Sequence, residues 1–300
     1  MHCAPLNPAC RPYRLDPVRR LFSLILPLAF SAASAGLAPS AQPLPQPQAL
    51  VERALAAELR ATQDAAHPMR FQLYKSSPRL TSTKQIVETA DGAVARLVAV
   101  NGQPLTASQE QAEQARLDAL LGDPARQHHR KQREDEDTAR ALKVLRALPT
   151  AFLYRDEGPA GAGGGGEEVF SFTSNPAFNP PDLETQVLTA MVGRLFIDTA
   201  HQRVTRLEGR LQSDVDFGWG ILGRLNKGGS ILITQRDVGR DQWRIVRFEM
   251  AMSGRVLFKT RIFDTVEEQT RFAPVPAGLT FQQAIQMLRA APEAASQGTH

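Results

Sequence analysis

The 300-residue chain predicts an α+β protein: a strongly curved antiparallel β-sheet, a half-barrel of roughly ten strands, with helices packed on its concave face. Three observations predict it. Segments 193–198, 203–214, 229–237, 242–252 and 255–264 alternate apolar and polar side chains, and a period of two sends successive side chains to opposite faces of a sheet. The connections between them are short and carry Asp, Gly and Ser; a parallel crossover needs a dozen residues or more, so neighbours must be antiparallel. Apolar stripes at helical spacing appear before, between and after the strands.

The elements follow in order. A helix is expected over 50–63, where Leu50, Val51, Ala54, Leu55 and Leu59 form a stripe. The sheet begins at 69–76. Strands 81–89 and 93–100 flank Ala90-Asp91-Gly92, a hairpin signal. Helices interrupt the sheet over 106–148. The first spans Ala107–Leu121 with Thr106 or Ser108 as its cap. The second starts at Asp123-Pro124, and Pro149 is expected to end it. Its first half is charged all round, and Arg130 with Glu134 and Arg133 with Asp137 stand at the spacing of helical ion pairs. Its second half carries Ala141, Leu142, Leu145 and Leu148 on one stripe. Strands resume at 151–155 and 169–173 around a glycine-rich tip. Asp182 caps a short helix, the main meander runs from Val192, and a helix closes the fold over 281–289.

Within the meander, Val246, Phe248, Met250 and Met252 fall on one face of segment 242–252, while Trp243 and Ile245 begin the other. In 255–263, Val256, Phe258 and Ile262 share a face. Ser253-Gly254 between the two runs reads as a two-residue hairpin turn.

The apolar fraction of 42% and charged fraction of 22% are those of an ordinary globular protein. The N-terminus reads as a secretory signal peptide over 1–35. Arg14, Arg19 and Arg20 precede the apolar run 21–30, and Ala33-Ser34-Ala35 fits a cleavage site after Ala35. The run is too short to span a bilayer. The expected location is periplasmic or secreted, peripheral to a membrane at most. A proline-rich spacer follows over 36–48, then a single domain over 49–290 and a disordered tail over 291–300. Removing the leader takes away four arginines and one aspartate. That leaves 31 basic against 30 acidic residues, so the net charge falls from +4 to +1. The basic balance therefore gives no support for a nucleic-acid partner. Cys3 and Cys10 leave with the leader, and the exported chain is cysteine-free.

Few residues suggest chemistry. His128-His129 are adjacent on a helix and point about 100° apart, which suits a solvated charge run better than a metal site. The glycines at 161–166 lack the lysine of a phosphate loop and precede Glu167-Glu168, which would repel phosphate. Asp214 and Asp216 share a strand face but stand at a strand end, where aspartates form turns. No nucleophile elbow or cofactor fingerprint occurs, so no catalytic, metal or cofactor residue is nominated. What remains is the apolar set Val246, Phe248, Met250, Met252, Phe258 and Ile262. It can line a ligand cavity or pack as plain core, and methionine adapts to irregular apolar ligands. Ten of the eleven arginines from Arg194 to Arg261, all but Arg240, could read anionic headgroups, or pair across strands with Glu208, Asp237 or Glu249.

This plan resembles a superfamily of exported half-barrel carriers: the outer-membrane lipoprotein localisation factors and the periplasmic regulator of the envelope-stress anti-sigma factor. The matching features are the helix at 50–63, the strand runs, the helices inserted at 107–148 and the meander from Val192. The likeness is one of architecture and covers most of 50–288. No signature motif accompanies it, so no binding residue is carried over, and the charged stretch 128–137 and the glycine loop depart from the simple plan. The resemblance implies a non-enzymatic protein that carries or senses a lipid, acyl chain or lipoprotein. The alternative is an envelope protein–protein module using an exposed patch around 217–222, and more remotely a hydrolase.

Overall fold

The computed structural model describes residues 46–161, 166–218, 223–256 and 259–290. The expected leader, the spacer up to residue 45, the tail from 291, most of the 217–222 patch and Phe258 lie outside the described residues.

The fold class is the expected one: α+β, an open antiparallel sheet with helices packed against it. Thirteen strands are present among the described residues. They are β1 (Met69–Ser77), β2 (Leu80–Val87), β3 (Val94–Val100), β4 (Gln103–Pro104), β5 (Phe152–Pro159), β6 (Glu167–Ser174) and β7 (Met191–Asp198). The others are β8 (Arg203–Leu211), β9 (Val215–Phe217), β10 (Gly223–Leu225), β11 (Ser230–Asp237), β12 (Trp243–Val256) and β13 (Lys259–Pro274). The order is β4-β3-β2-β1-β13-β12-β11-β8-β7-β6-β5, with β10 bonded to β12 and β9 off this path. The helices are α1 (Gln46–Thr62), α2 (Ala107–Leu121), α3 (Pro124–Ala151), α4 (Leu183–Gln186) and α5 (Phe281–Ala290).

Several boundaries differ from expectation for identifiable reasons. Helix α1 starts at Gln46, inside the expected spacer; Pro47 in its first turn costs nothing, because no intrahelical bond is due from that nitrogen. Helix α3 runs through Pro149 to Ala151. A proline this near the end removes a single bond, and the Pro149 carbonyl accepts from Gln48 Nε2 of α1 at 3.3 Å. Strand β13 continues to Pro274 because a bulge hides its second half. Arg271 adopts φ 57°, two residues there oppose one of β1, and Phe272 lands on Phe71 with ring centroids 5.4 Å apart. This half of β13 pairs with β1 and joins the first hairpin to the meander.

The expected turn at Ser253-Gly254 is not formed. Strand β12 runs through it, and Val256 pairs with Lys259. Gly254 serves a close approach instead. It faces Leu225 of β10, and a Cβ there would lie 2.3 Å from the Arg224 carbonyl oxygen. The reversal lies four residues further on, an even shift, so odd-numbered residues of the following strand share the Met252 face and Ile262 does not join Phe248 and Met250. Phe263, opposite Met252, is 6% exposed, and Ile262, opposite Ser253, is 71% exposed. Ile262→Ser is accordingly expected to change stability by less than about 0.5 kcal/mol, and Phe263→Ala to cost about 3–5 kcal/mol; urea denaturation reads both. The reverse order would contradict this register.

A second bulge matters more. Ile233 pairs with Phe248 but Gln235 with Ile245, so Val246 is the extra residue. Trp243 and Ile245, expected on the opposite face from Phe248 and Met250, are thereby brought to the same face.

Two cores hold the sheet. In the first, Val51, Ala54 and Leu55 of α1 and Leu148 and Ala151 of α3 pack on Phe170, Leu195, Ile197 and Leu211. Glu58 ties α1 down: Arg203 donates from Nε and Nη2 to its two oxygens at 2.9 and 3.0 Å, and the Val204 amide donates at 3.0 Å. In the second, Ala284, Ile285 and Leu288 of α5 and Leu117 and Leu120 of α2 pack on Val87 and Val94. Register places Val87 opposite Arg70, hence on the reverse side from Phe71 and Leu73. Helix α2 lies along the sheet edge. The Leu97 amide donates to Glu113 Oε1 at 2.8 Å, and Arg116 Nη2 donates to the Ala95 carbonyl at 2.5 Å. These side chains occupy groups that an open edge strand would offer to another chain. The charged half of α3 is only partly solvated. Arg130 donates to the Ala93 carbonyl at 2.6 Å, Glu134 accepts from the Ala93 amide at 3.0 Å, and Arg130 lies over the Phe281 ring.

Candidate functional site

Between the two cores the sheet is thinly covered. Strands β11, β12, β13 and β1 carry long runs of half-buried residues and few buried ones. Cross-strand pairing shows what this middle presents. On the face shared with the α1–α3 core, one row reads Leu195, Leu207, Ile233, Phe248, Glu267, Lys75, Ser82. The neighbouring row reads Gly193, Gly209, Ile231, Met250, Thr265. Ile231, Ile233, Phe248, Met250 and Met252 are all half-buried, so they form an apolar strip that the helices leave partly open. From β8 to β2 this face crosses five strand spacings, about 24 Å at ~4.8 Å each.

Of the residues expected to line a cavity, Phe248, Met250 and Met252 lie together on this strip. Val246 sits beside them at the bulge, and Ile262 is on the reverse face. Ile231 and Ile233 were not singled out from the sequence, although their alternation in Ser230–Asp237 carried the same signal. Trp243 and Ile245 extend the face toward α1, where Trp243 meets His201 and Arg203.

At its β1–β2 end the strip meets charge. Lys75 Nζ donates to Glu267 Oε1 at 2.8 Å, in the same row as Phe248. Lys84 lies diagonally beside Lys75, opposite Leu73. Burial is the main force holding the Lys84 ammonium down to about 8, with repulsion from Arg116 and Lys75 adding to it and Glu113 and Glu267 opposing it.

A groove of about 580 Å³ crosses the sheet elsewhere. It is lined by the glycine row from Gly193 to Thr265 and by Val192, Arg194, Glu208, Arg210, Leu232 and Glu249, and not by Phe248, Ile233 or Leu195. The rows on either side of that glycine row belong to the reverse face, so the groove opens there, and Ile231 and Met250 of the strip border it as well. Its walls hold charges that satisfy one another, as Arg194 and Glu208 do at 2.9 Å. The cross-strand pairing of arginines expected from the sequence is what this face shows: Arg194 and Arg206 meet Glu208, and Arg247 meets Glu249 and Glu268.

Asp214 and Asp216 are engaged by Arg224, whose Nε and Nη2 reach Asp216 at 2.6 and 2.9 Å and whose Nη1 reaches Asp214 at 3.4 Å. The hydrogen bonds from Arg224 are the main reason the Asp216 carboxyl sits below the usual carboxylate range. A carboxylate held ionised in this way suits strand pairing of β9 with β10 better than proton transfer. His128 and His129 are exposed, with ring centroids 6.3 Å apart.

No family model matches the chain, and no curated protein does. Among solved structures it is similar to a domain from Vibrio parahaemolyticus described provisionally as an outer membrane lipoprotein-sorting protein domain. The two are 11% identical, over 80% of this chain and 99% of that one, with a TM-score of 0.32. An overlap that loose fixes neither fold nor function.

Proposed function

We propose that this protein is an exported, non-enzymatic binding protein that holds an acyl chain, as a free lipid or on a lipoprotein, against the half-open face of its central strands. One observation carries the reading: five large apolar side chains, Ile231, Ile233, Phe248, Met250 and Met252, are aligned by register and half-buried on one face, beside an α1–α3 core that reaches Ile231 and with the α2–α5 core on the opposite face. A sheet whose middle served only as core would have them covered. Methionine and phenylalanine side by side offer an adaptable apolar surface without directional demands, as a flexible chain requires. The charged reverse face gives an acyl chain little to hold.

Native mass spectrometry of the exported chain, purified from its host without detergent, tests this. The expected spectrum contains adducts of acyl-lipid mass. Phe248→Ala combined with Met250→Ala is expected to reduce them about tenfold or more, since each large apolar side chain contributes on the order of 1.5–3 kcal/mol when fully covered. Retention of only unliganded protein, or adducts indifferent to both substitutions, would count against acyl binding at this face.

A further inference from the structure

We propose that the reverse-face groove is a second binding site, for an extended polypeptide segment that carries an acidic and a basic side chain four residues apart. Arg210 receives the acid and Asp264 the base. This function is separate from acyl binding and does not rest on it.

Cross-strand register divides the groove into two walls with different charge states. In one wall the charges are met within the sheet: Glu208 takes Arg194 at 2.9 Å and Arg206 at 3.5 Å, and Glu249 takes Arg247. The other wall is the row Val192, Arg210, Ser230, Ala251, Asp264. Its two charged side chains, Arg210 and Asp264, are exposed and have no ion-pair or hydrogen-bond partner among the described residues. Their strands, β8 and β13, are three spacings apart, about 14 Å at ~4.8 Å each. That exceeds the screening length of ~8 Å at physiological salt, so the two charges do not neutralise each other. Between them stand only Ser230 and Ala251, both small and exposed, which leaves room for a chain to lie across.

An extended polypeptide matches this spacing. At ~3.3 Å per residue, side chains i and i+4 point the same way and are about 13 Å apart. A segment lying along the groove sets its acid at Arg210, its base at Asp264 and a small residue i+2 over Ser230 and Ala251. Residues i+1 and i+3 then turn to the opposite wall, where Leu232 and Val266 offer apolar contact. The volume of about 580 Å³ is that of an ordinary ligand site. A ligand of a single charge sign satisfies only one end.

The experiment is a chemical-shift titration of the full exported chain with the capped pentapeptide Glu-Val-Ser-Val-Lys. Shifts are expected at the amides of Gly193, Gly209, Ser230 and Ala251. The isomer Glu-Val-Ser-Lys-Val turns its lysine to the other wall and should bind about threefold more weakly, the scale of one exposed ion pair, with the difference fading in 1 M salt. Arg210→Glu should weaken Glu-Val-Ser-Val-Lys about tenfold and make Lys-Val-Ser-Val-Lys the preferred ligand. Asp264→Lys should turn the preference to Glu-Val-Ser-Val-Glu. A gain of binding of this kind cannot come from unfolding. Equal affinities for the two isomers, an unchanged ranking in both variants, shifts confined to other strands, or no shift up to the solubility limit of the peptide would each overturn the assignment and leave acyl binding untouched.

Discussion

Glu58→Ala is expected to destabilise the protein by about 3–5 kcal/mol. Glu58 is 7% exposed, and its carboxylate takes two bonds from the Arg203 guanidinium and one from the Val204 amide. Truncation leaves a nearly buried guanidinium without its counter-charge and an amide without its acceptor. Each loss carries its own desolvation cost. The link is also the polar tie between α1 and β8 across 145 residues of sequence. Glu58→Gln keeps an acceptor for Val204 and should lose about half as much. Replacing both partners, Glu58→Leu with Arg203→Met, should recover most of the stability, because a buried ion pair exchanged for apolar side chains is often near neutral. Chemical denaturation of these three variants and of the single substitutions Glu58→Leu and Arg203→Met measures this. Additive losses in the double variant would show that the pair is not coupled.

Gly193→Ala is expected to cost about 3 kcal/mol or more. A Cβ at Gly193 would lie 1.8 Å from the Glu208 carbonyl oxygen and 2.7 Å from Phe172 Cζ. The first neighbour is backbone of the paired strand. The second is a ring 2% exposed, packed on Phe152 at 4.4 Å between centroids. Neither can move without parting β7 from β8 or opening the α1–α3 core. Gly209, its cross-strand partner, is the control. A Cβ there meets Ile231 Cγ2 and Met191 Cε at 3.0 Å, both side-chain ends that can shift. Gly209→Ala should therefore cost about 1 kcal/mol. Comparable midpoints for the two variants would mean that the close approach at Gly193 does not constrain the sheet.

The sequence was most legible where local chemistry and tertiary context agree. Helix α2 has the expected span because Thr106 and Gln109 form a reciprocal capping box, and Asp182 caps α4 through the Thr185 amide. Strands of the meander were legible from alternation. Errors came where one residue type has two uses. Gly254 carried a turn signal, but the lack of a side chain served the approach of β10. The bulges at Val246 and Arg271 broke the period of two, so Trp243 and Ile245 were assigned to the wrong face and half of β13 was missed. Phe248, Met250 and Met252 could be grouped from one strand. The lysine cluster could not, because β1 and β13 meet only through pairing of segments about 190 residues apart. No local window contains both Lys75 and Glu267.

The central claim is that an acyl chain lies along β11 and β12 on the face of Phe248. Photolabelling with a fatty acid carrying a diazirine near its methyl end, followed by peptide mapping, tests it most directly. Label on Ile233, Phe248 or Met252, suppressed by unlabelled laurate, is the expected result. Label on Leu232, Glu249 or Val266, which line the reverse groove, or label that laurate does not suppress, would contradict it.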